Sequence, residues 1–164
     1  MIADKIKMLP ETVYLDTNIV SYYFSNLPEY KIFRDATREW WIKKSKNYYL
    51  CSSMTAEYEL KDGNYLHQEE AVQFIRKIAM FPINEDIEKI AQYYIDHNLA
   101  PNENIQQLRG DALHLAICAF YHIDFLLTWN QRHLANVNKL QRLRIMNAQI
   151  GLRTPEIVTP LQLL

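Results

Sequence analysis

Three polar residues of chemically useful types follow an apolar run near the start of the chain. The run at residues 13–15 ends in a carboxylate, a hydroxyl and an amide, which belong to Asp16, Thr17 and Asn18. A short apolar run of this kind is typical of a buried parallel strand, so the polar residues lie where the carboxyl end of that strand emerges. Ligands of open α/β sheets bind at that edge. The sequence therefore predicts a functional site at Asp16 if further acids converge on it.

Three further polar residues stand where they could reach the same edge. Glu59 lies in the helix that follows the second predicted strand, and Asn130 lies just past the strand predicted at residues 124–128. Asp111 opens an apolar helix that precedes a strand, and topology alone places it less securely than the other residues. It can reach the same cleft if the polar loop at residues 98–109 carries the chain back over the carboxyl edge.

Clustered acids of this kind favour a divalent cation. Two or three carboxylates that lie close together repel one another and raise each other's pKa values. Mg²⁺ and Mn²⁺ remove this conflict and prefer oxygen ligands. Beside a phosphodiester such an ion activates water and stabilises the leaving oxygen, and two ions about 3.5–4 Å apart divide these tasks. The acids therefore predict a Mg²⁺ or Mn²⁺ cofactor, and no histidine has to act as a base.

The elements that must position these residues alternate between strands and helices. Strands are predicted at residues 13–15, 48–51, 80–83, 124–128 and 157–158, and helices at residues 19–25, 30–45, 53–62, 68–79, 84–96, 111–121 and 137–150, with a further short helix after Asn130. This alternation predicts an α/β fold in which helices cover both faces of a parallel sheet, giving three α/β/α layers. We expect a single domain over residues 1–164.

Composition limits the partners and the compartment. The net charge of −1 supplies no basic field, so binding of a polyanion has to come from a local patch or from metal ions. Cys51 and Cys118 lie in apolar runs and are expected to be buried thiols of a reduced compartment. No signal peptide is recognisable, and no apolar run approaches the roughly 20 residues of a membrane span. We therefore expect a cytoplasmic protein that has no contact with membranes.

Several short motifs occur together in the order of a PIN domain. They are Tyr-Leu-Asp-Thr-Asn at residues 14–18, Ser53 followed by Glu-Leu at 59–60, Gly-Asp-Ala-Leu-His-Leu-Ala at 110–116, Leu-Thr-Trp-Asn at 127–130, and the tail Pro-Glu-Ile-Val-Thr-Pro at 155–160. The chain resembles the VapC-like bacterial toxin branch of this ribonuclease family over nearly its whole length.

The resemblance implies a fold, an activity and partners. It implies a parallel sheet of about five strands between helices, and a Mg²⁺- or Mn²⁺-dependent endoribonuclease that acts on RNA. It also implies a toxin held by an antitoxin protein, in a homodimer. By matching position, Asp16, Glu59 and Asp111 take the three carboxylate roles of the family, which places Asp111 in the acidic cleft.

One position departs from the family pattern. Many PIN domains carry a fourth acid where this chain has Asn130. An amide oxygen can ligate a cation but adds no charge, so three carboxylates hold a second ion less firmly than four. We include Asn130 among the catalytic residues and expect one tightly bound ion, with a second arriving together with RNA.

Other residues near the motifs allow two interpretations each. Thr17 and Asn18 are candidates for orienting Asp16 or the substrate. Asn18 has the alternative role of capping the next helix. Arg132 and His133 either meet a phosphate or belong to a solvated helix. Glu57 is expected on a solvated helix face.

His114 shares a helix face with Asp111 and is interpreted as a core or supporting residue rather than a catalytic base. A basic stretch with Lys139, Arg142 and Arg144 either contacts the RNA backbone or forms the outer face of an amphipathic helix.

Two further functions compete with the nuclease. A non-catalytic PIN-like scaffold that binds RNA or protein would follow if Asn130 has abolished cutting. An aspartate-nucleophile phosphohydrolase also places an aspartate at the end of its first strand. Such enzymes usually need a second acid two residues later, where this chain has Asn18.

Overall fold

The computed structural model describes residues 9–101 and 105–164, and five strands in this part form one parallel sheet. The strands are β1 (Thr12–Leu15), β2 (Tyr49–Ser53), β3 (Ala79–Phe81), β4 (Phe125–Leu127) and β5 (Glu156–Val158). Their order across the sheet is β3-β2-β1-β4-β5, and every neighbouring pair runs parallel. Strands β2 and β3 lie on one side of β1, and the chain then crosses to the other side, where β4 and β5 lie. The carboxyl ends of β1 and β4 therefore flank the switch point at which open α/β sheets bind ligands.

Helices cover both faces of this sheet, so the three-layer α/β/α fold is confirmed. They are α1 (Thr17–Phe24), α2 (Lys31–Lys43), α3 (Met54–Leu60), α4 (Gln68–Ile75), α5 (Glu85–Asp96), α6 (Asp111–Phe120), α7 (Gln131–Leu134) and α8 (Val137–Gln149). Within the described residues, no helix combines the length and the apolar character needed to span a membrane.

The central strand is buried on both faces because its side chains alternate between two cores. Tyr14 belongs to a cluster with residues of α5 and α6, such as Tyr94 and Leu113. Val13 and Leu15 belong to a cluster that includes Trp40 of α2. This two-sided burial explains the uninterrupted apolar run of β1. Asp16 is the first residue after this run and the first that can carry a polar side chain.

Some element boundaries differ from the sequence prediction. Helix α1 begins at Thr17, two residues before the predicted start, and α2 ends at Lys43, after which Ser45–Asn47 form a 3₁₀ turn. Helix α4 ends at Ile75 instead of residue 79, because β3 already begins at Ala79. The apolar periodicity that suggested a longer helix includes Ile78, which packs on the core from the connecting turn. In the loop predicted at residues 98–109, Ile105–Gln107 form a 3₁₀ turn, and residues 102–104 lie outside the described part.

The expectation that Glu57 is solvated is wrong. Glu57 is buried, and its Oε1 accepts hydrogen bonds from Nε and Nη2 of Arg76, at 3.0 and 2.5 Å. Lys61 Nζ lies 2.6 Å from the same oxygen. The hydrogen bond from Arg76 is the main cause that lowers the pKa of Glu57. The acid therefore ties α3 to the turn after α4, and the periodicity of α3 alone does not reveal this partner.

Both cysteines are buried free thiols, as the apolar runs around them predicted. Burial raises the pKa of Cys51 to about 12 and also raises the pKa of Cys118. Neither thiol is therefore ionised near neutral pH, which fits a packing role in the core beneath β1 and β2.

Asp124 joins the starts of two strands at the amino edge of the sheet. Its Oδ2 accepts hydrogen bonds from the backbone N–H and the hydroxyl of Thr12, at 2.8 and 3.0 Å. Its Oδ1 accepts one from Arg153 Nη2 at 2.6 Å. Burial alone raises the pKa of Asp124, but these hydrogen bonds outweigh it and lower the pKa. The residue lies at the edge opposite to Asp16 and is excluded from the candidate site.

Asp124→Asn is expected to lower the free energy of unfolding by about 1 kcal/mol at neutral pH, because it weakens hydrogen bonds to a charged group. The depressed pKa in the folded state means that this contribution is present above the unfolded pKa of about 3.9 and is lost as the pH falls through the folded value. Urea unfolding of both proteins across the acid range measures the difference. Equal stability of variant and wild type at neutral pH would contradict it.

Candidate metal centre

Asp16 is held in place at the carboxyl end of β1. Its N–H donates to the carbonyl oxygen of Leu127 in β4 at 3.0 Å, so the pairing of the two central strands extends to this residue. Its Oδ2 accepts hydrogen bonds from Thr128 Oγ1 at 2.5 Å and from Asn18 Nδ2 at 2.8 Å. Asp16 occupies the N-cap position of α1, but its side chain makes no capping bond. The carboxylate, only 4% exposed, is therefore directed to the site and not to the helix.

Asn18 links Asp16 to the segment after β4. Its Nδ2 also donates to Thr128 Oγ1 at 3.1 Å, and its Oδ1 accepts from the N–H of Trp129 at 2.9 Å. Asn18 lies inside α1, so it does not cap that helix. Through these hydrogen bonds, Asn18 connects the carboxyl ends of β1 and β4.

Glu59 reaches the same place from α3. Its Oε1 accepts hydrogen bonds from Thr17 Oγ1 at 2.6 Å and from His114 Nε2 at 2.5 Å. Its Oε2 accepts only a longer one from the N–H of Gly110, at 3.3 Å. Burial raises the pKa of Glu59, but the nearby His114 and these hydrogen bonds outweigh it and lower the pKa.

His114 is buried beside the acids, in agreement with its interpretation as a core or supporting residue, but the sequence did not name its partners. It is 1% exposed on α6, and its Nε2 lies 3.4 Å from Asp16 Oδ1 as well as 2.5 Å from Glu59 Oε1. Burial lowers its pKa, but the acids at 16 and 59 outweigh that effect and raise the pKa. Its spacing of three residues from Asp111 put both residues on one helix face, but spacing within α6 says nothing about Asp16 or Glu59, which lie on other elements.

Asp111 and Asn130 complete the polar cluster. Asp111 is the first residue of α6, and its Oδ2 accepts a hydrogen bond from Asn130 Nδ2 at 2.9 Å. Gly110, immediately before, has a φ of 105°, which L side chains rarely adopt. Because of this turn, α6 begins beside Glu59, and Asp111 therefore lies at the carboxyl edge of the sheet.

The acids at 16, 59 and 111 line one open pocket of about 340 Å³. Its other lining residues are Thr17, Asn18, Ser21, Tyr22 and Tyr30. Three carboxylates from segments far apart in sequence therefore meet at one place.

The remaining sequence candidates lie outside this pocket lining. Arg132 and His133 are exposed on α7, directly after Asn130. Two residues of the basic stretch have partners within the fold, because Arg142 Nη2 donates to the carbonyl oxygen of His97 at 2.8 Å and Arg144 lies 3.2 Å from Glu156. The amphipathic interpretation of α8 is therefore favoured for these two arginines.

The donor set fits a hard divalent cation. Ligand atoms of Asp16, Glu59 and His114 all lie within 4.8 Å of one another. In both carboxylates one oxygen already accepts two short hydrogen bonds, so the protein orients the group through that oxygen. The second oxygens, Asp16 Oδ1 and Glu59 Oε2, accept no short hydrogen bond from the described residues and are available as ligands. Mg²⁺ and Mn²⁺ bind such carboxylate oxygens one at a time and keep several waters.

Comparison with known proteins identifies the fold. No protein-family model matches the sequence, and no curated protein matches it either. Among solved structures, a chain of a toxin-antitoxin complex from Klebsiella pneumoniae superposes with a TM-score of 0.56 at 17% identity, covering 90% of this chain and 97% of that one. A chain of VapBC2 from Rickettsia felis, bound to a DNA fragment from its promoter, gives 0.52 at 12% identity, with 90% and 98% covered. The chain therefore shares the fold of these two chains, and the three-layer α/β/α architecture is the one that its motifs predicted.

Proposed function

We propose that this PIN-like protein is a divalent-metal-dependent endoribonuclease and the toxin of a toxin–antitoxin pair. The observation that carries the proposal is the meeting of Asp16, Glu59 and Asp111 in one pocket at the carboxyl edge of the sheet. Carboxylates that line one pocket repel one another, and a bound cation removes that repulsion. We assign Mg²⁺ or Mn²⁺ to this pocket, with the three carboxylates as its protein ligands.

The chain's own residues prepare the site for phosphodiester hydrolysis. The bound ion would supply an activated water and stabilisation of the leaving oxygen. Asn18 and Thr128 fix the carboxylate of Asp16, and Thr17 fixes that of Glu59. Asn130 donates to Asp111 and holds it beside the other two acids. Ligands held in this way need little rearrangement when charge develops on the phosphate.

The surroundings of the pocket support a single-stranded RNA substrate. A second, mainly apolar cleft adjoins the acidic pocket and shares Tyr22 and Tyr30 with it, and Tyr65 also lines this cleft. Tyrosine rings beside a cleaved strand can stack with unpaired bases. Arg132 and His133, exposed beyond Asn130, are proposed contacts of the RNA backbone.

The partner in this proposal is an antitoxin protein. One structural neighbour belongs to a toxin–antitoxin complex, and the other belongs to VapBC2 bound to a DNA fragment from its promoter. We further propose that the chain is one domain, forms a homodimer and acts in the cytoplasm, where it would meet both RNA and its antitoxin.

Metal removal is the direct test of the activity. Purified protein is incubated with unstructured and hairpin RNA in Mg²⁺ or Mn²⁺, and then with excess chelator. We expect cleavage of the unstructured RNA that stops in chelator and resumes when Mn²⁺ is restored. The Asp124→Asn variant is the matched control, because it removes a carboxylate at the opposite edge of the sheet and should cleave as wild type. Cleavage that persists in chelator would contradict the proposal.

Asn130 favours a second candidate function, a non-catalytic scaffold. This amide stands where many PIN domains carry a fourth acid, and it donates a hydrogen bond where an acid would contribute charge. Binding of RNA without cleavage in both Mg²⁺ and Mn²⁺ would support the scaffold over the nuclease.

A further inference from the structure

The buried side chains beneath the acidic pocket form a continuous polar chain. Ser53 Oγ lies 2.6 Å from the hydroxyl of Tyr14, and this hydroxyl lies 2.7 Å from Nδ1 of His114. Nε2 of the same ring then contacts Glu59 Oε1 at 2.5 Å. The four groups belong to β2, β1, α6 and α3, so this series of hydrogen bonds extends from the sheet to the edge of the pocket.

We infer that Tyr14 and His114 are positioning residues that hold Glu59 ready for a divalent ion, with Ser53 supporting Tyr14. The inference rests on the proposed metal centre at Asp16, Glu59 and Asp111. It assigns a function to two core residues that make no contact with the substrate themselves.

Hydrogen-bond roles along the chain are consistent in every state of the imidazole. The Glu59 carboxylate can only accept, so Nε2 of His114 donates to it. In a neutral ring Nδ1 then accepts from the Tyr14 hydroxyl, which in turn accepts from Ser53. In a charged ring Nδ1 donates to Tyr14, and Tyr14 donates to Ser53. The chain is complete in both cases, so the positioning does not depend on the charge of His114.

The 2.5 Å contact also decides how His114 acts on the site. A metal ion cannot stand between two atoms at hydrogen-bond distance, so His114 supports Glu59 Oε1 instead of sharing an ion with it. Thr17 donates to the same oxygen at 2.6 Å. The two donors saturate Oε1 and leave Oε2, with its single longer contact to Gly110, as the oxygen for the ion.

Burial of these polar groups indicates a purpose beyond packing. Tyr14 is fully buried in the cluster formed with residues of α5 and α6, and His114 is 1% exposed. Placing a hydroxyl and an imidazole there has a desolvation cost that an apolar side chain of similar size avoids. Residues that orient metal ligands in this way typically change metal affinity or activity by about 10–100-fold when they are removed.

Two substitutions at His114 separate positioning from packing. In His114→Gln the amide nitrogen reaches as far as Nε2 and can still donate to Glu59. In His114→Asn the shorter amide reaches only the place of Nδ1, so the donor to Glu59 is lost. Calorimetric titration of Mn²⁺ into RNA-free protein should show about 10–100-fold weaker binding for His114→Asn and near wild-type binding for His114→Gln.

Tyr14→Phe tests the next link and has a matched control. It should weaken Mn²⁺ binding about tenfold, because the ring of His114 loses its second anchor. Tyr94→Phe makes the same change at another fully buried tyrosine, whose hydroxyl donates to Asn147 instead. Tyr94→Phe should leave Mn²⁺ affinity unchanged, although it also loses a buried hydrogen bond. Thermal melts of the metal-free proteins establish that each variant is folded.

The outcomes distinguish this inference from the proposed function. Equal Mn²⁺ affinity of His114→Asn and His114→Gln would overturn the inference, and so would an equal loss in Tyr14→Phe and Tyr94→Phe. Wild-type protein that binds Mn²⁺ with the expected pattern of variants but cleaves no RNA would overturn the nuclease alone. Wild-type protein that binds no divalent ion would overturn both.

Discussion

Asp16→Asn is expected to lower the rate of RNA cleavage about a thousandfold, since the metal supplies several kcal/mol of charge stabilisation and each 1.36 kcal/mol is about tenfold in rate. The substitution removes the charge of the most buried carboxylate in the pocket. An amide oxygen can still accept the hydrogen bonds that Thr128 and Asn18 now donate to Oδ2, so the fold should persist. The loss should therefore come from the ion and not from unfolding.

Single-turnover cleavage at saturating RNA, together with Mn²⁺ titration, measures this effect. Wild type and Asp124→Asn should cleave alike, whereas Asp16→Asn should lose both cleavage and tight Mn²⁺ binding. Raising the Mn²⁺ concentration should recover little activity, because the ligand itself is missing. A variant that is folded and cleaves within a few-fold of wild type would remove Asp16 from the catalytic residues.

Asn130→Asp is expected to make the metal-free protein less stable and to raise the number of tightly bound Mn²⁺ ions from one to two. The amide now donates to Asp111 Oδ2 at 2.9 Å, and the substitution replaces this bond by two carboxylates in contact. Carboxylates at that distance cannot both remain ionised without a cation or a shared proton. Loss of the hydrogen bond and the new repulsion should cost about 1–3 kcal/mol of the free energy of unfolding.

Metal should reverse this loss in Asn130→Asp. An ion present at about a hundred times its Kd stabilises a folded protein by about 2.7 kcal/mol, so the rise in Tm on adding Mn²⁺ should be larger for the variant than for wild type. Asn138→Asp, at an exposed position in α8, is the control for the added charge. A single bound ion and unchanged stability in Asn130→Asp would contradict the prediction.

Local sequence signals were sufficient to place the strands and to name the acids that the structure brings into one pocket. The apolar run before Asp16 and the polar residues after it marked both the central strand and its carboxyl end, and the structure has β1 at Thr12–Leu15. The same signals failed where two elements meet within a few residues. Helix α4 was extended over Ile78 because a turn residue that packs on the core has the same apolar character as a helical one.

The placement of Asp111 shows the limit of topology. Strand and helix order alone left the edge at which this residue lies open, and the resemblance to PIN domains was needed to predict that it lies in the cleft. The structure shows the physical means, a loop that ends in Gly110 at a φ of 105° and starts α6 beside Glu59.

By itself the sequence determined which residues could carry charge and where the parallel strands end, because apolar runs and the polar residues that interrupt them are properties of neighbouring positions. Only the tertiary structure decided that His114 lies between Tyr14 and Glu59, which are 100 and 55 residues away along the chain. Contacts of this kind depend on the order of strands and on how helices pack across them. No local pattern records those distances, so the residues that orient the acids became visible only in the folded chain.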